Sequence, residues 1–598
     1  MQRVENALAF SEARKYGFTE LQSRIIAGRA TCDNGELKSV LFPTLNNLHH
    51  PNSLEDGATA AAVIVEAILE KKRIGILTDY DVDGICSHVV VHESLRHFGV
   101  KSDLLSSFIG HRMNDGYGIS QTLVDRILTQ HHQPNLIITA DCGSSDEKQI
   151  KRLKEAGISV IVTDHHAIPA EGIPVSAAAT VNPSREDCRY PDKLISGCMV
   201  SWLVMCLVRN ILREKKYLLE TANQLASLLD YVALSTVADA VSFFSGTNRA
   251  VVVSGLRIIN RKTKPSWFSL ASLLGKTDDS PFTAEDLAFQ VAPRINARGR
   301  MADPYAALHF FLAESTEQAT AQLHKLEKNN EQRKSAEREM VKSARKEAMC
   351  QIRAGRRTIV VADAAFHPGV QGIVASRLVD DCGRPAVVLS PTKENDILSG
   401  SVRSVPEVHV RKVLQKIHEK RPDLFLSFGG HSGAAGLKIR REKLAEFSVA
   451  FEEVVCDETA GRVLRPIIAT DGPLPTRDMT FETIAELQAL EPFGREFDEP
   501  VFEGMFTVKR IRPVGAEAIH LSMTLEANNG RTFHGIWFRA LENAEEEVSI
   551  KGGELIRCAF KLKTNTFRGN TNIQMMIEYA ETSQSQRPQR DQEHRAVR

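Results

Sequence analysis

The chain has 598 residues, 42% of them hydrophobic and 25% charged, with 75 basic and 75 acidic side chains that cancel to a formal net charge of zero. Such a composition fits a globular protein of several domains and excludes fibrous, low-complexity and membrane-spanning classes, since no apolar run approaches the ~20 residues of a bilayer span. Neutrality gives no global attraction to nucleic acid, so any basic surface must be local. Ten cysteines occur without a CxxC pair, which argues against a zinc ribbon or disulfide framework and for a reducing cytoplasm; Met1–Asn6 has no signal-peptide layout.

Residues 1–50 read as an N-terminal lead packing on the first domain. From 51 to 314, strand and helix patterns alternate as in a doubly wound sheet. Three apolar runs there each end in acids or histidines. Ile74–Thr78 leads into Asp79, Asp81, Asp83 and Gly84; Leu136–Ala140 leads into Asp141; Val160–Thr163 leads into Asp164, His165 and His166. β-Branched runs separated by helical patterns are expected to be buried parallel strands. Sites in such sheets lie beyond the carboxyl ends of the strands. The acids and histidines should therefore converge, and so many carboxylates repel unless cations hold them. A divalent-metal hydrolase is the first expectation.

Residues 315–355 lack Pro and Gly until Gly355, start with a capping pattern at Ser315 and Gln318, and carry Met340, Ala344, Ala348 and Ile352 as an apolar stripe. They predict one long helix connecting two lobes. Residues 356–462 read as a second α/β domain. Residues 463–582 carry spaced short strand patterns that suit a small barrel. The polar tail 583–598 has the composition of a disordered segment.

Each constellation has a bland reading. Asp79, Asp81 and Asp83 could form an EF-hand loop, but the twelfth position is Val90 rather than Glu. They could instead cap a helix. Mixed carboxylate and imidazole ligation suits manganese or a similar ion better than calcium. The segment Asp230–Asp239 stays open: a buried helix face leaves both acids to be explained by metal, cap or salt bridge. Gly275-Lys276-Thr277 lacks the upstream glycine of a P-loop, and His88 and His92 lack the glutamate of a zinc-protease helix. Gly429-Gly430-His431 could let a backbone approach a phosphate, with Arg403 as a second contact, or could be a tight packing site. Lys509, Arg510, Arg512, Arg539, Lys561, Lys563 and Arg568 lie among Phe506, Trp537, Phe538, Phe560 and Phe567, a mixture that suits a single-strand groove or a barrel core.

The ordered set DYDVDG, Asp141, DHH, the Asp230 segment and a downstream Gly-Gly-His resembles the DHH phosphoesterase superfamily with its DHHA1 domain. The stretches Arg112 with Asp115-Gly116-Tyr117-Gly118, Pro293–Arg300, His367–Arg377 and Glu491–Gly494 narrow the resemblance to its RecJ-type exonucleases. The resemblance implies a DHH parallel-sheet domain joined by a long helix to a DHHA1 domain, plus a C-terminal OB-fold. It implies 5′ to 3′ degradation of single-stranded DNA in recombination and repair with Mn2+ or Mg2+, two ions being expected. Asp79, Asp81, Asp83, Asp141, His165 and Asp230 would be ligands, with Asp239 outside them. His166 would touch phosphate or donate a proton, and Asp164 would orient the histidines. Arg112, Arg294, Arg300, Arg377, Arg403, Gly429, Gly430 and His431 would hold the strand. Expected partners are single-stranded DNA and, through it, a helicase and a single-strand-binding protein, with the chain a monomer and no membrane contact. Phe366, Arg298, Arg495–Asp498 and Gly197–Met199 depart from the family pattern. The rival readings are a DHH phosphodiesterase of short oligonucleotides or cyclic dinucleotides, and a binding protein without turnover.

Overall fold

The computed structural model describes residues 1–30, 37–111, 115, 118–219, 225–392, 394, 396–462, 464–541, 545–546, 548–567 and 570–582. Arg112, Gly116, Tyr117, Arg568 and the 583–598 tail of the sequence reading lie outside them. The chain divides into two compact units, one of residues 43–242 and 247–467, the other of residues 1–42, 243–246 and Ile468 onward.

The larger unit begins with a parallel sheet of β1 (Ile74–Thr78), β2 (Leu105–Ile109), β3 (Leu136–Ala140), β4 (Ser159–Thr163) and β5 (Ala179–Val181), in the order β2-β1-β3-β4-β5. Strands β1, β3 and, after Ser159, β4 are buried on both faces, which is why they read as continuous apolar runs. Alternate residues serve different cores. Ile74, Ile76, Ile138 and Ile161 pack with helices Gly57–Leu69 and Gly197–Glu214, whereas Leu77, Ile137, Val160 and Val162 pack with helices Gln121–Leu128 and Glu147–Glu155. The chain leaves β1 toward β2 and returns past it to β3. That reversal opens a crevice at the strand carboxyl ends between β1 and β3.

A 38-residue helix, Thr316–Arg353, follows, ~57 Å long at 1.5 Å per residue. The Ser315 hydroxyl caps it by accepting from the Gln318 N–H, while the Gln318 side chain accepts from the Glu314 N–H. Its first half buries Ala319, Leu323 and Leu326 in the core of the first lobe. Its second half buries Met340, Ala344 and Ala348 in a second core. That second lobe holds β6 (Ile359–Ala362), β7 (Ala386–Pro391), β8 (Ile397–Arg403), β9 (Ser427–Gly430) and β10 (Ala434–Arg440), ordered β6-β7-β8-β10-β9.

The smaller unit is a closed five-stranded barrel of β11 (Phe502–Val514), β12 (His520–Glu526), β13 (Thr532–Trp537), β14 (Leu555–Phe567) and β15 (Asn570–Thr582). Its order is β11-β12-β13-β15-β14, with β13 and β15 parallel. Here the structure corrects the reading of the N-terminal lead. Residues 1–42 belong with the barrel: the Met1 ammonium donates to the Ile468 carbonyl at 2.7 Å, and Gln2 bridges to Thr470. The physical reason is Asp471, a buried carboxylate that needs a cation, and Arg29 reaches it at 2.6 Å.

Candidate metal centre and substrate cleft

Thr78 of β1, Ala140 of β3 and Thr163 of β4 stand side by side in register. The residues that follow, Asp79, Asp141 and Asp164, therefore leave the sheet at one level. Asp81 caps helix Val82–His97, its Oδ1 accepting from the Gly84 N–H at 3.0 Å. So the bland reading of Asp81 as a cap also holds. Gly84 is required there, because a Cβ would lie 2.4 Å from the Asp79 carbonyl oxygen.

Asp83 turns inward and is 2% exposed. Its carboxylate accepts from the Gly197 and Cys198 N–H groups, each at 2.8 Å, and from the Ser235 hydroxyl at 2.6 Å. The first two are unsatisfied donors at the start of helix Gly197–Glu214, where backbone dipoles favour a negative charge. Asp141 adopts a left-handed φ of 62°, a conformation rare outside glycine and aspartate or asparagine, and clustered at functional sites. A Cβ on Gly197 would come within 2.8 Å of the Asp141 Cβ, so the glycine lets helix and loop meet.

His165 shows what the centre is built to hold. Its Nδ1 lies 2.9 Å from the Ile195 carbonyl. A carbonyl only accepts, so Nδ1 carries a proton, and in the neutral ring, the form that ligates metals, Nε2 is the acceptor. That Nε2 is buried without a hydrogen bond and stands 3.3 Å from the Asp141 Oδ1, which is likewise buried without one. Two acceptors facing each other are satisfied by a shared proton or by a metal ion bound between or beside them, and the further carboxylates around them suit the higher charge of a divalent ion. Asp83 and Asp239 approach the same Nε2 at 3.6 and 3.8 Å. The ligand atoms form two groups, Asp141/His165/His166 and Asp83/His165/Asp239. Burial pushes the Asp141 carboxyl well above its usual range, and the charges of Asp83, Asp81, Asp239 and Asp79 push it further. Three carboxylates, of Asp83, Asp141 and Asp239, thus gather at His165, with Asp79 and Asp81 near enough to add their charge, and their donor chemistry fits hard divalent ions supplemented by imidazole.

His166 Nδ1 bonds to the Asp164 Oδ1 at 2.8 Å. Burial alone would lower the imidazole, but this bond and its charge lift it to about 9. Burial would raise Asp164 in turn, yet the two histidines and the Ser144 N–H hold it well below the usual carboxylate range.

The structure does not bring Asp230 to this cluster. Asp230 is fully buried, accepting from the Trp267 Nε1 at 2.6 Å and the Lys264 Nζ at 2.8 Å. Asp239, kept outside the ligand set by the sequence reading, is the acid that stands in the cluster, 3.8 Å from His165 Nε2. A signal for this existed. Asp230 lies in the first turn of helix Leu229–Ala238, where an acid is favoured, whereas Asp239 caps its C-terminus, where an acid is disfavoured. An acid that the helix does not want needs another reason. Ser235, Ser196 and the Ile195 carbonyl, which position ligands, carry no such signal.

The residues expected to hold the strand divide. His431 follows β9 in the second lobe, and after burial the charges of His166 and His165 lower its pKa, so it lies within electrostatic reach of the histidine pair. Gly429 has open space where a Cβ would be, and Gly430, with φ of 141°, would collide with the Ala434 carbonyl if it carried one. The Arg403 guanidinium lies against Gly372, where a Cβ would come 2.7 Å from its Nη2. Arg300 donates to the Gly369 carbonyl at 2.9 Å, joining the two lobes. Arg294 and Arg377 are tied to Glu327 and Glu337 of the long helix at 2.6 and 3.4 Å. These ion pairs brace the helix and balance the charge expected for phosphate. In the barrel, Phe506 and Phe560 are core, Phe538 is exposed, and Lys561 and Lys563 pair with Glu499.

Comparison with known proteins matches this architecture part by part. Residues 73–236 match the DHH family N-terminal domain, 356–457 the DHHA1 domain, and 470–579 the RecJ OB domain. The single-stranded-DNA-specific exonuclease RecJ of Haemophilus influenzae is 34% identical over 90% of this chain and 92% of its own length. That of Escherichia coli is 32% identical over 87% and 89%. A crystal structure of RecJ with Mn2+ from Thermus thermophilus superposes with a TM-score of 0.76 at 24% identity, covering 97% of this chain and 79% of that one. With the sheet, the second lobe, the barrel and the acidic crevice in the same chain order, this chain belongs to the RecJ family.

Proposed function

We propose that this chain is a metal-dependent exodeoxyribonuclease that degrades single-stranded DNA from the 5′ end, acting in recombination and repair. The observation that carries the chemistry is the pair of facing atoms, His165 Nε2 and Asp141 Oδ1, 3.3 Å apart, with Asp83 and Asp239 beside the same nitrogen. Asp79, Asp81, Asp83, Asp141, His165 and Asp239 would hold two Mn2+ or Mg2+ ions. When bound, such ions supply a hydroxide nucleophile at neutral pH and offset phosphate charge.

The chain's own residues do the rest. The Ile195 carbonyl fixes the tautomer of His165, and the helix start at Gly197 fixes Asp83. Asp164 keeps a proton on His166 near neutrality, making His166 the group that meets the scissile phosphate or the leaving oxygen. His431 and the Gly429–Gly430 backbone face that phosphate from the second lobe. The barrel holds the incoming strand, with exposed Phe538 available for stacking. A closed barrel and a second lobe serve a long strand better than a dinucleotide. Among the described residues no helix is long and apolar enough to cross a membrane. We place the protein in the cytoplasm as a monomer, working on strands exposed by a helicase and coated by a single-strand-binding protein.

The test is cleavage of one oligonucleotide labelled at the 5′ end or at the 3′ end, with Mn2+, Mg2+ or a chelator. Mononucleotide should appear at once from the 5′ label, only with metal and not from duplex. Rapid hydrolysis of a dinucleotide with none of the long strand would overturn the reading.

A further inference from the structure

The second lobe contains a cation that neither the metal centre nor the Gly-Gly-His element accounts for. Arg411 lies in the first turn of helix Val410–Lys420, whose first residue docks on the glycine-rich loop through the Val410 N–H and the Ser432 carbonyl at 2.9 Å. Its guanidinium carbon stands 4.9 Å from the centre of the Phe428 ring, and its Nη1 donates to the Phe428 carbonyl at 3.3 Å. Phe428 immediately precedes Gly429, so the guanidinium is fixed one residue from the Gly-Gly-His element.

Several arginines on or beside the long helix and in the second lobe are neutralised: Arg294, Arg298, Arg333, Arg345, Arg377 and Arg421 each pair with a carboxylate. Among the described residues no Asp or Glu pairs with Arg411. It is half-buried and positioned by a ring face and one carbonyl. Neither supplies negative charge, and a guanidinium so placed keeps donors for a phosphate. Its positive charge reaches His431, as do the charges of His165 and His166.

We infer that Arg411 is a specificity-determining contact for a backbone phosphate of the single strand, next to the phosphate that His431 meets. This rests on the single-strand reading above. The ring holds the cation at a set distance from the Gly429–Gly430 backbone, so affinity depends on a chain of consecutive phosphates rather than on one diester. A long strand gains from it; a substrate with a single phosphodiester does not.

Arg411→Gln and Arg411→Lys test this in the full chain with Mn2+. The probes are a long oligothymidylate and the p-nitrophenyl ester of thymidine 5′-monophosphate. For Arg411→Gln, KM for the strand should rise about tenfold with a much smaller change in kcat, and the ratio of strand to ester hydrolysis should fall by a similar factor. The slope of log affinity against log salt should be shallower by ~0.7, the value of one phosphate contact on a single strand. Arg411→Lys should restore much of the slope. A merely structural role would not move a salt slope. An unchanged slope in Arg411→Gln, with wild type still degrading strands, defeats the Arg411 assignment alone. Wild type that hydrolyses the ester but no strand defeats the single-strand reading, and this assignment with it.

Discussion

Asp230 and Asp239 sit nine residues apart at the two ends of one helix, and their substitutions should behave in opposite ways. Asp239→Ala removes a carboxylate oxygen that stands 3.8 Å from His165 Nε2 and that the proposed metal centre needs. Loss of even ~4 kcal/mol of metal-derived stabilisation would slow turnover about 10³-fold, with the fold intact. Asp230→Asn instead weakens charge-assisted bonds to Lys264 and Trp267 in a buried site, at about 2 kcal/mol of stability. Its kcat should stay within a few-fold of wild type while the melting temperature falls. Thermal melts and steady-state rates on both variants decide it: a dead Asp230→Asn beside an active Asp239→Ala would reverse the assignment. The sequence pattern made the acids visible, and hinted at their roles only through the helix ends they occupy. Residue type and order mark a metal site, yet the choice between two aspartates depends on which end of the helix meets the crevice. Likewise the family motifs single out Arg294 and Arg377, but not the glutamates that hold them, Glu327 and Glu337, which come from a helix whose facing is not encoded in local spacing.

At the level of elements, the apolar runs were legible because strands buried on both faces cannot alternate, and the acids that follow them mark the strand ends. What spacing could not reveal is how adjacent elements lock those ends. His88 is one such lock. Dismissed from the sequence as a metal ligand, it is fully buried on helix Val82–His97, where it bonds Thr78 of β1 at 3.2 Å and Ser107 of β2 at 2.8 Å. Burial lowers its pKa to about 3, from an ordinary 6.5. The fold therefore holds it neutral. Its contribution is fully present above 6.5 and is lost as pH falls toward 3, by up to about 1.4 kcal/mol per pH unit. Denaturant midpoints measured from pH 7 down to pH 4.5 should fall more steeply for wild type than for His88→Gln; parallel slopes would refute this. A second element-level prediction concerns the cost of gathering acids. Asp141→Asn keeps a residue tolerant of the left-handed loop and removes one buried charge. In chelator this variant should melt higher than wild type. Saturating Mn2+ should stabilise wild type, by about 2.7 kcal/mol at a hundred times the dissociation constant, and should stabilise the variant far less. Equal metal-induced shifts in the two proteins would count against Asp141 as a ligand.

Across the whole molecule, chain order misleads about which parts fold together. The barrel's strands announce themselves locally, but no local pattern hints that residues 1–42 complete the barrel's unit, because the contacts join positions more than 400 apart. The join centres on Arg29, whose side chain is fully buried against an Asp471 that is 3% exposed. Each nitrogen of this guanidinium is used: Nη1 meets Ile25 and Asp471, Nη2 meets Asp471, and Nε meets the Asp498 carbonyl. Asp471 also accepts from the Val501 N–H at the entrance to β11. A buried pair held on both sides is costly to break from one side, because the remaining charge has no water to return to; ~3–5 kcal/mol is the usual penalty. Arg29→Ala should therefore loosen the barrel's unit while leaving the larger unit's packing untouched. Calorimetry on the full-length variant should show an early transition split from the main one, with hydrolysis of the nitrophenyl ester persisting between the two. A single transition shifted as a block, with ester hydrolysis lost alongside it, would mean that the two units unfold as one and that the lead supports the catalytic lobes directly.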